Sequence, residues 1–257
     1  MGRWDLSALR YEPGAWIRAT LYPQKCDLSP DGRWLLYSAL DYRGDWGAGS
    51  IYEAVSRLPW LHALAAWEAG TTYTRGAHFV DEPGRNGLGA PDVGDATPLL
   101  RRYGLEVTRP GQFAVERRRG WEETGDSEPR RPGDPWEEGR RVRMRKERPG
   151  GGACLEVEGS WAAFRSFPAV RTPAQYTLVR DGKGTDDTTR RRAPPREELL
   201  DVQWADWDAG GRLLAATTEG TLRVLELVDG RLSMVFDHDL APLAPDPRPA
   251  PDRAREW

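Results

Sequence analysis

The sequence predicts an all-β repeat protein built of four-stranded antiparallel sheets, and three observations carry that expectation. First, LYPQKCDLSPDGRWLL (21–36) and LDVQWADWDAGGRLLA (200–215) share Leu21/Leu200, Gln24/Gln203, Asp27/Asp206, Gly32/Gly211, Arg33/Arg212 and Leu35/Leu214 at a constant separation of 179 residues. Matched units so far apart imply that diverged units lie between them, because a repeat buries its faces against its neighbours. Second, short apolar runs alternate with Gly-containing turns. Third, no segment sustains a period near 3.6 over a dozen residues, so helix content is expected to be low.

The later copy sets the pattern of a unit. Strands are expected at 202–208, 212–217, 221–228 and 231–236, joined by Ala209-Gly210-Gly211, Glu219-Gly220 and Asp229-Gly230. Glycine tolerates the positive φ of tight hairpin turns, so this spacing reads as consecutive hairpins about 35 residues long. In the third run Leu222, Val224 and Leu227 alternate imperfectly with Arg223 and Glu226, and Leu225 suggests burial on both faces. Further strands are expected at 99–107, 111–118, 140–146, 153–164 and 175–181. The dense apolar stretch 53–67 is compatible with a short helix or with two strands.

LSPDGRWLLYSA (28–39) and GGRLLAATTEGTLRVLEL (210–227) resemble strands a to c of a WD-repeat blade. Val224-Leu225-Glu226 stands where that family ends strand c with Trp-Asp, and Trp67-Glu68 offers such a closure for the first unit. The resemblance implies a β-propeller of four-stranded antiparallel blades serving as a binding platform. Dividing 179 residues into four steps of about 45 gives five blades, within a range of four to six. The expected organisation is one propeller domain over 1–240, with insertions at 41–60 and 119–151, and a Pro-rich disordered tail at 241–257.

Composition excludes several function classes. Arginine outnumbers lysine 34 to 3, yet 40 acidic residues leave a net charge of −3, which argues against a dominant phosphate-binding surface. The local basic stripe 140–146 alternates Val142 and Met144 with Arg141, Arg143 and Arg145, as a solvated outer strand does; an anionic partner on that strand is the alternative. Twelve tryptophans read mainly as packing between sheets. With no charged-then-apolar leader and no run of bilayer length, the chain is expected to be cytoplasmic and its two cysteines, Cys26 and Cys154, reduced. Cys26, aligned with Ala205, is expected to be a small buried side chain on an innermost strand.

Chemistry is sparse. His62, His78 and His238 form no metal-ligand spacing, and the cysteines have no CxxC partner, so neither metal nor cofactor is expected. Strand alternation would turn His238 away from Asp237 and Asp239. Asp181-Gly-Lys-Gly-Thr-Asp186-Asp187 lacks the ligand alternation of a calcium loop, and 84–89 lacks the helix a dinucleotide fingerprint needs. Asp27 and Asp206 read as acceptors for turn amides, or alternatively as the paired carboxylates of a propeller hydrolase acting on a sugar-like substrate. What stands out is the insertion 41–60, carrying Tyr42, Arg43, Trp46, Tyr52 and Trp60, residue types enriched at binding hot spots. The leading expectation is a non-catalytic scaffold, monomeric alone, that binds another protein through this loop.

Overall fold

Residues 2–5 and 10–13 form a β-hairpin, β1 (Gly2–Asp5) with β2 (Arg10–Pro13), in a computed structural model that describes residues 1–43, 50–69, 76–80, 82–84, 97–107, 114–129, 140–160, 174–181 and 194–257. The chain divides into two compact units, one comprising 1–115 with 244–257 and the other 116–243. Among the described residues strand accounts for half and helix for 6%, and the antiparallel sheets are all open.

In the first unit, β3 (Thr20–Leu21), β4 (Asp27–Leu28), β5 (Trp34–Leu40), β6 (Ile51–Arg57) and β7 (Ala63–Glu68) make a five-stranded sheet in which β3 and β4 both pair β5. Every second residue of a strand points to the same face, and β5 is buried on both. Trp34 and Leu36 join Val55, Trp67, Phe79 and Leu105 in one apolar cluster, while Leu35, Tyr37 and Ala39 join Ala54 in another. A separate hairpin follows, β8 (Ala77–Val80) with β9 (Gly104–Val107), preceded at β9 by the short helix α1 (Thr97–Leu100).

The stretch 53–67 is therefore two strands, and the supposed insertion 41–60 contains β6, a central strand with Ala54 and Val55 wholly buried. Trp67-Glu68 ends the fourth strand of this sheet, not its third, because β6 takes the third place.

In the second unit, β10 (Glu122–Glu123), β11 (Arg141–Glu147), β12 (Ala153–Ser160), β13 (Gln175–Arg180) and β14 (Arg196–Glu198) form a five-stranded meander in sequence order. A four-stranded meander follows, β15 (Val202–Trp207), β16 (Leu213–Thr217), β17 (Thr221–Val228) and β18 (Arg231–Asp239), within three residues at either end of the sequence expectation. The β17–β18 turn is Asp229-Gly230, with φ of 49° and 75°, the two left-handed residues a type I′ turn requires. Two expectations for the middle of the chain change. The span 119–151 holds β10 besides the strand expected at 140–146, here β11, and 111–118 ends in helix α2 (Ala114–Arg118), whose Glu116 near the start and Arg117 and Arg118 near the end suit the helix dipole.

The repeat is physical. The amide of Gly32 donates to the Ser29 carbonyl at 2.8 Å, and that of Gly211 to the Asp208 carbonyl at 3.0 Å, the same bond at an offset of 179 residues. Both glycines are left-handed, at 65° and 78°. An aspartate organises each turn: Asp31 accepts the Arg33 amide and Asp208 the Arg212 amide. The strands around the turns differ by one residue in register, Leu28 facing Leu35 but Trp207 facing Leu213.

The basic stripe faces solvent as its alternation indicates, with Val142 and Met144 fully buried beneath it. Its arginines are matched by acids. Arg141 and Arg143 both pair Glu158, Arg143 also reaches Asp126 at 3.2 Å, and Arg145 pairs Glu147 at 2.7 Å. Arg141 and Arg143 thus meet an opposite charge across the β11–β12 pair, while Arg145 finds its acid two residues on along the same strand. At the outer edge of the other meander, β18 carries a bulge at Val235, since Leu225 faces Met234 while the adjacent Val224 faces Phe236. Bulges of this kind discourage edge-to-edge pairing.

Candidate partner-binding surface

The turn leaving β5 is held by one carboxylate. The Asp41 amide donates to the Ser50 carbonyl at 2.8 Å, and Asp41 Oδ1 accepts the amide and Nε of Arg43 at 3.0 and 2.9 Å while Oδ2 accepts Nη2 at 2.6 Å. These bonds hold the Asp41 carboxyl at about 2, so the clamp persists through the physiological range and opens only as pH falls through that value. Between the two clamped residues, Tyr42 projects into solvent with 80% of its surface exposed.

Pairing within the sheet brings further residues to this end. Tyr52 sits near the start of β6, opposite Ala39, with its ring edge-on to Tyr37 at 6.4 Å; burial raises its phenol, and Arg43 is close enough to oppose that rise. Tyr22 follows β3, whose residues Thr20 and Leu21 pair Leu40 and Ala39. Burial, then the neighbouring Tyr42, raises the Tyr22 phenol, and Lys25 Nζ lies 4.7 Å from its ring centroid. Local sequence does not single out Tyr22 and Lys25. Their signal was topological, because β3 pairs the end of β5 that carries Tyr42.

The structure does not unite all the residues expected on the loop. Trp60 follows β6 and lies at the opposite end of the strand, about 20 Å away for seven residues at a strand's rise. Its amide donates to the Arg57 carbonyl at 2.9 Å. Trp46 lies outside the described residues.

Other groups are committed elsewhere. Asp27 Oδ2 accepts the Phe79 amide at 2.9 Å, tying the first sheet to β8 within the first unit. Asp206 Oδ1 accepts Lys146 Nζ at 2.5 Å and the Trp207 amide at 2.7 Å within the second. Each carboxylate thus holds structure together. Among the described residues no group of three or more His, Cys, Asp or Glu is placed to hold a metal ion. Both cysteines are free thiols, Cys154 buried with its thiol raised to about 11 by desolvation, and Cys26 only half-buried, beside the first 3-10 turn and not on a strand. His238 stacks on Phe236 at 6.4 Å, inward between the exposed Asp237 and Asp239. The segments 182–190 and 85–90 lie outside the described residues. Among the described residues, no helix is long and apolar enough to cross a membrane.

One buried acid titrates in an informative direction. Glu53 is 2% exposed, accepts the Trp67 indole N–H at 2.9 Å, and has its carboxyl raised by burial against the opposing pull of Trp67, Lys25 and the Ala77 amide. A carboxyl raised in the folded state favours the protonated fold, so the ionised form weakens stability above the folded pKa and protonation relieves that penalty as pH falls through it. Glu53→Gln is therefore expected to fold at least as stably as the unsubstituted chain at pH 7, with the gap between them narrowing on acidification. Thermal melts of both proteins across pH 4 to 8 check this, and a Gln variant markedly less stable at pH 7 would contradict it.

Comparison with family models, curated proteins and solved structures finds no match to this chain.

Proposed function

We propose that the chain is a non-catalytic protein-interaction module acting in the cytoplasm, built on a β-propeller of WD-like blades, with Tyr42, Arg43 and Tyr52 at the centre of its partner-binding surface. The observation that carries the reading is the Asp41–Arg43 clamp around an exposed tyrosine. A large amphipathic side chain on a turn whose backbone is already fixed loses less conformational freedom on binding than one on a free loop, which is how recognition loops gain affinity. Tyr22 and Lys25 extend the surface. The matched turns at Gly32 and Gly211 and the successive meanders support the blade reading, with five blades as the count. The carboxylates a hydrolase would need are engaged with Phe79, Lys146 and Trp207 instead.

The test places a photo-activated cross-linker at position 42 and, separately, at the exposed His62 beyond the opposite end of the same sheet. A native partner is expected to cross-link from 42 and not from 62. Tyr42→Ala should then weaken that partner's binding about thirtyfold, the equivalent of about 2 kcal/mol for a hot-spot residue, with the circular dichroism spectrum unchanged. Equal cross-linking from both positions, or unchanged affinity in the Ala variant, would remove this surface from the interface.

A further inference from the structure

The segment 244–257 packs in the first unit, and its hydrogen bonds close within itself. The Ala254 amide donates to the Pro251 carbonyl at 2.8 Å, the Arg255 amide to Asp252 at 2.9 Å and Arg255 Nε to the Ala250 carbonyl at 2.9 Å, while Arg248 pairs Asp246. Among the described residues, none of these groups bonds to the body of the unit. Attachment is apolar: Ala254 is fully buried, and Trp257 packs on the first unit's apolar cluster with its ring 5.5 Å from that of Trp34, over which the Arg57 guanidinium also lies at 4.9 Å. Residues 241–249 are exposed, with no strand or helix, and prolines 242, 245, 247, 249 and 251 favour an extended chain that needs no ladder.

A segment held this way separates cheaply. Undocking leaves no buried amide or carbonyl without its partner, the penalty that locks most segments into a fold. It gives up apolar contact alone, that of the Trp257 indole and the Ala254 methyl together with the half-buried Ala250 and Pro251. The Pro-rich strap also limits the disorder gained on release.

We infer that the surface around Trp34 is a binding socket for an indole-bearing peptide, filled in cis by a detachable hook of which Trp257 is the anchor. The hook closes its own turn before it docks, so the same peptide supplied separately should dock in the same way. Releasing it would open an aromatic site to any partner segment presenting a tryptophan on a compact turn.

The test uses the full-length chain carrying Trp257→Ala and, as probe, a fluorescent synthetic peptide of residues 244–257. Fluorescence anisotropy is expected to show saturable binding to the variant. Binding to the unsubstituted chain should be at least about tenfold weaker, because a resident hook leaves only the small undocked fraction competent. A peptide with Ala at the last position should not bind either protein. Absence of binding to the variant, or equal affinity for both chains, would overturn the inference. So would a Trp257→Ala chain that has lost its β-sheet circular dichroism, since Trp257 would then be indispensable core and not a detachable anchor.

Discussion

Replacing Asp206 by Ala is expected to destabilise the second unit by about 3 to 5 kcal/mol, the usual penalty for stranding one member of a buried ion pair. Lys146 on β11 and Asp206 on β15 bridge the two meanders at 2.5 Å, with side chains only 13% and 11% exposed. Removing the carboxylate leaves an ammonium buried without its counter-charge and frees the Trp207 amide that the same oxygen accepts. Two neighbouring contacts depend on this seam, the Trp207 indole donating to the Lys146 carbonyl at 3.3 Å and the buried Tyr176 phenol bonding to the Ala205 backbone. The double replacement Lys146→Met with Asp206→Leu removes both charges together and should recover much of the loss. Urea unfolding of the two variants, followed by tryptophan fluorescence, checks the pair; a single variant within about 1 kcal/mol of the unsubstituted chain would mean the bridge is solvated and of little consequence.

The second large effect separates two glycines that the sequence makes equivalent. Gly32→Ala and Gly211→Ala both place a side chain at left-handed φ, which costs about 1 to 2 kcal/mol by itself. At Gly32 the added Cβ meets nothing within 4 Å, so the cost should stop near that figure. At Gly211 the Cβ would lie 2.6 Å from the Pro149 carbonyl oxygen, a backbone atom, and 3.2 Å from Arg148 Nε, which itself donates to the Gly211 carbonyl at 2.8 Å. The loop at Arg148 must move and its bond to Gly211 must distort, so the total should reach about 3 kcal/mol. Equal losses at the two sites, measured by thermal and urea unfolding, would show that local conformation dominates and the contact with Pro149 yields without cost.

The contrast between these glycines marks where local sequence stops carrying information. Hairpin chemistry was legible because it is local: Gly32, Gly211 and the Asp229-Gly230 pair occupy the left-handed turn positions their spacing indicated, and β15 to β18 fall close to their expected limits. Alternation on β11 was legible for the same reason, since a two-residue period decides which side chains go under the sheet. The helix at 114–118 was missed because four or five residues do not establish a period.

The surface around Tyr42 was partly legible. Residue types enriched in recognition picked out Tyr42, Arg43 and Tyr52, but adjacency along the chain also recruited Trp60, which an intervening strand carries to the far end of the sheet. Tyr22 and Lys25 enter through the pairing of β3 with β5, a long-range register that no local pattern encodes.

By itself, the sequence determined an all-β chain of hairpins with a repeated left-handed glycine turn, because backbone φ preference and side-chain alternation act within a few residues; it expected Asp27 and Asp206 at turn amides, where the structure uses Asp31 and Asp208. Tertiary structure decided which carboxylates carry load and which tryptophan closes a core. It spent Asp27 on the Phe79 amide and Asp206 on Lys146, and it folded the Pro-rich segment back so that Trp257 covers Trp34. Those outcomes depend on burial of polar groups and apolar surface across scores of residues, where the free energy rests on what lies opposite in space and not on what lies next in the chain.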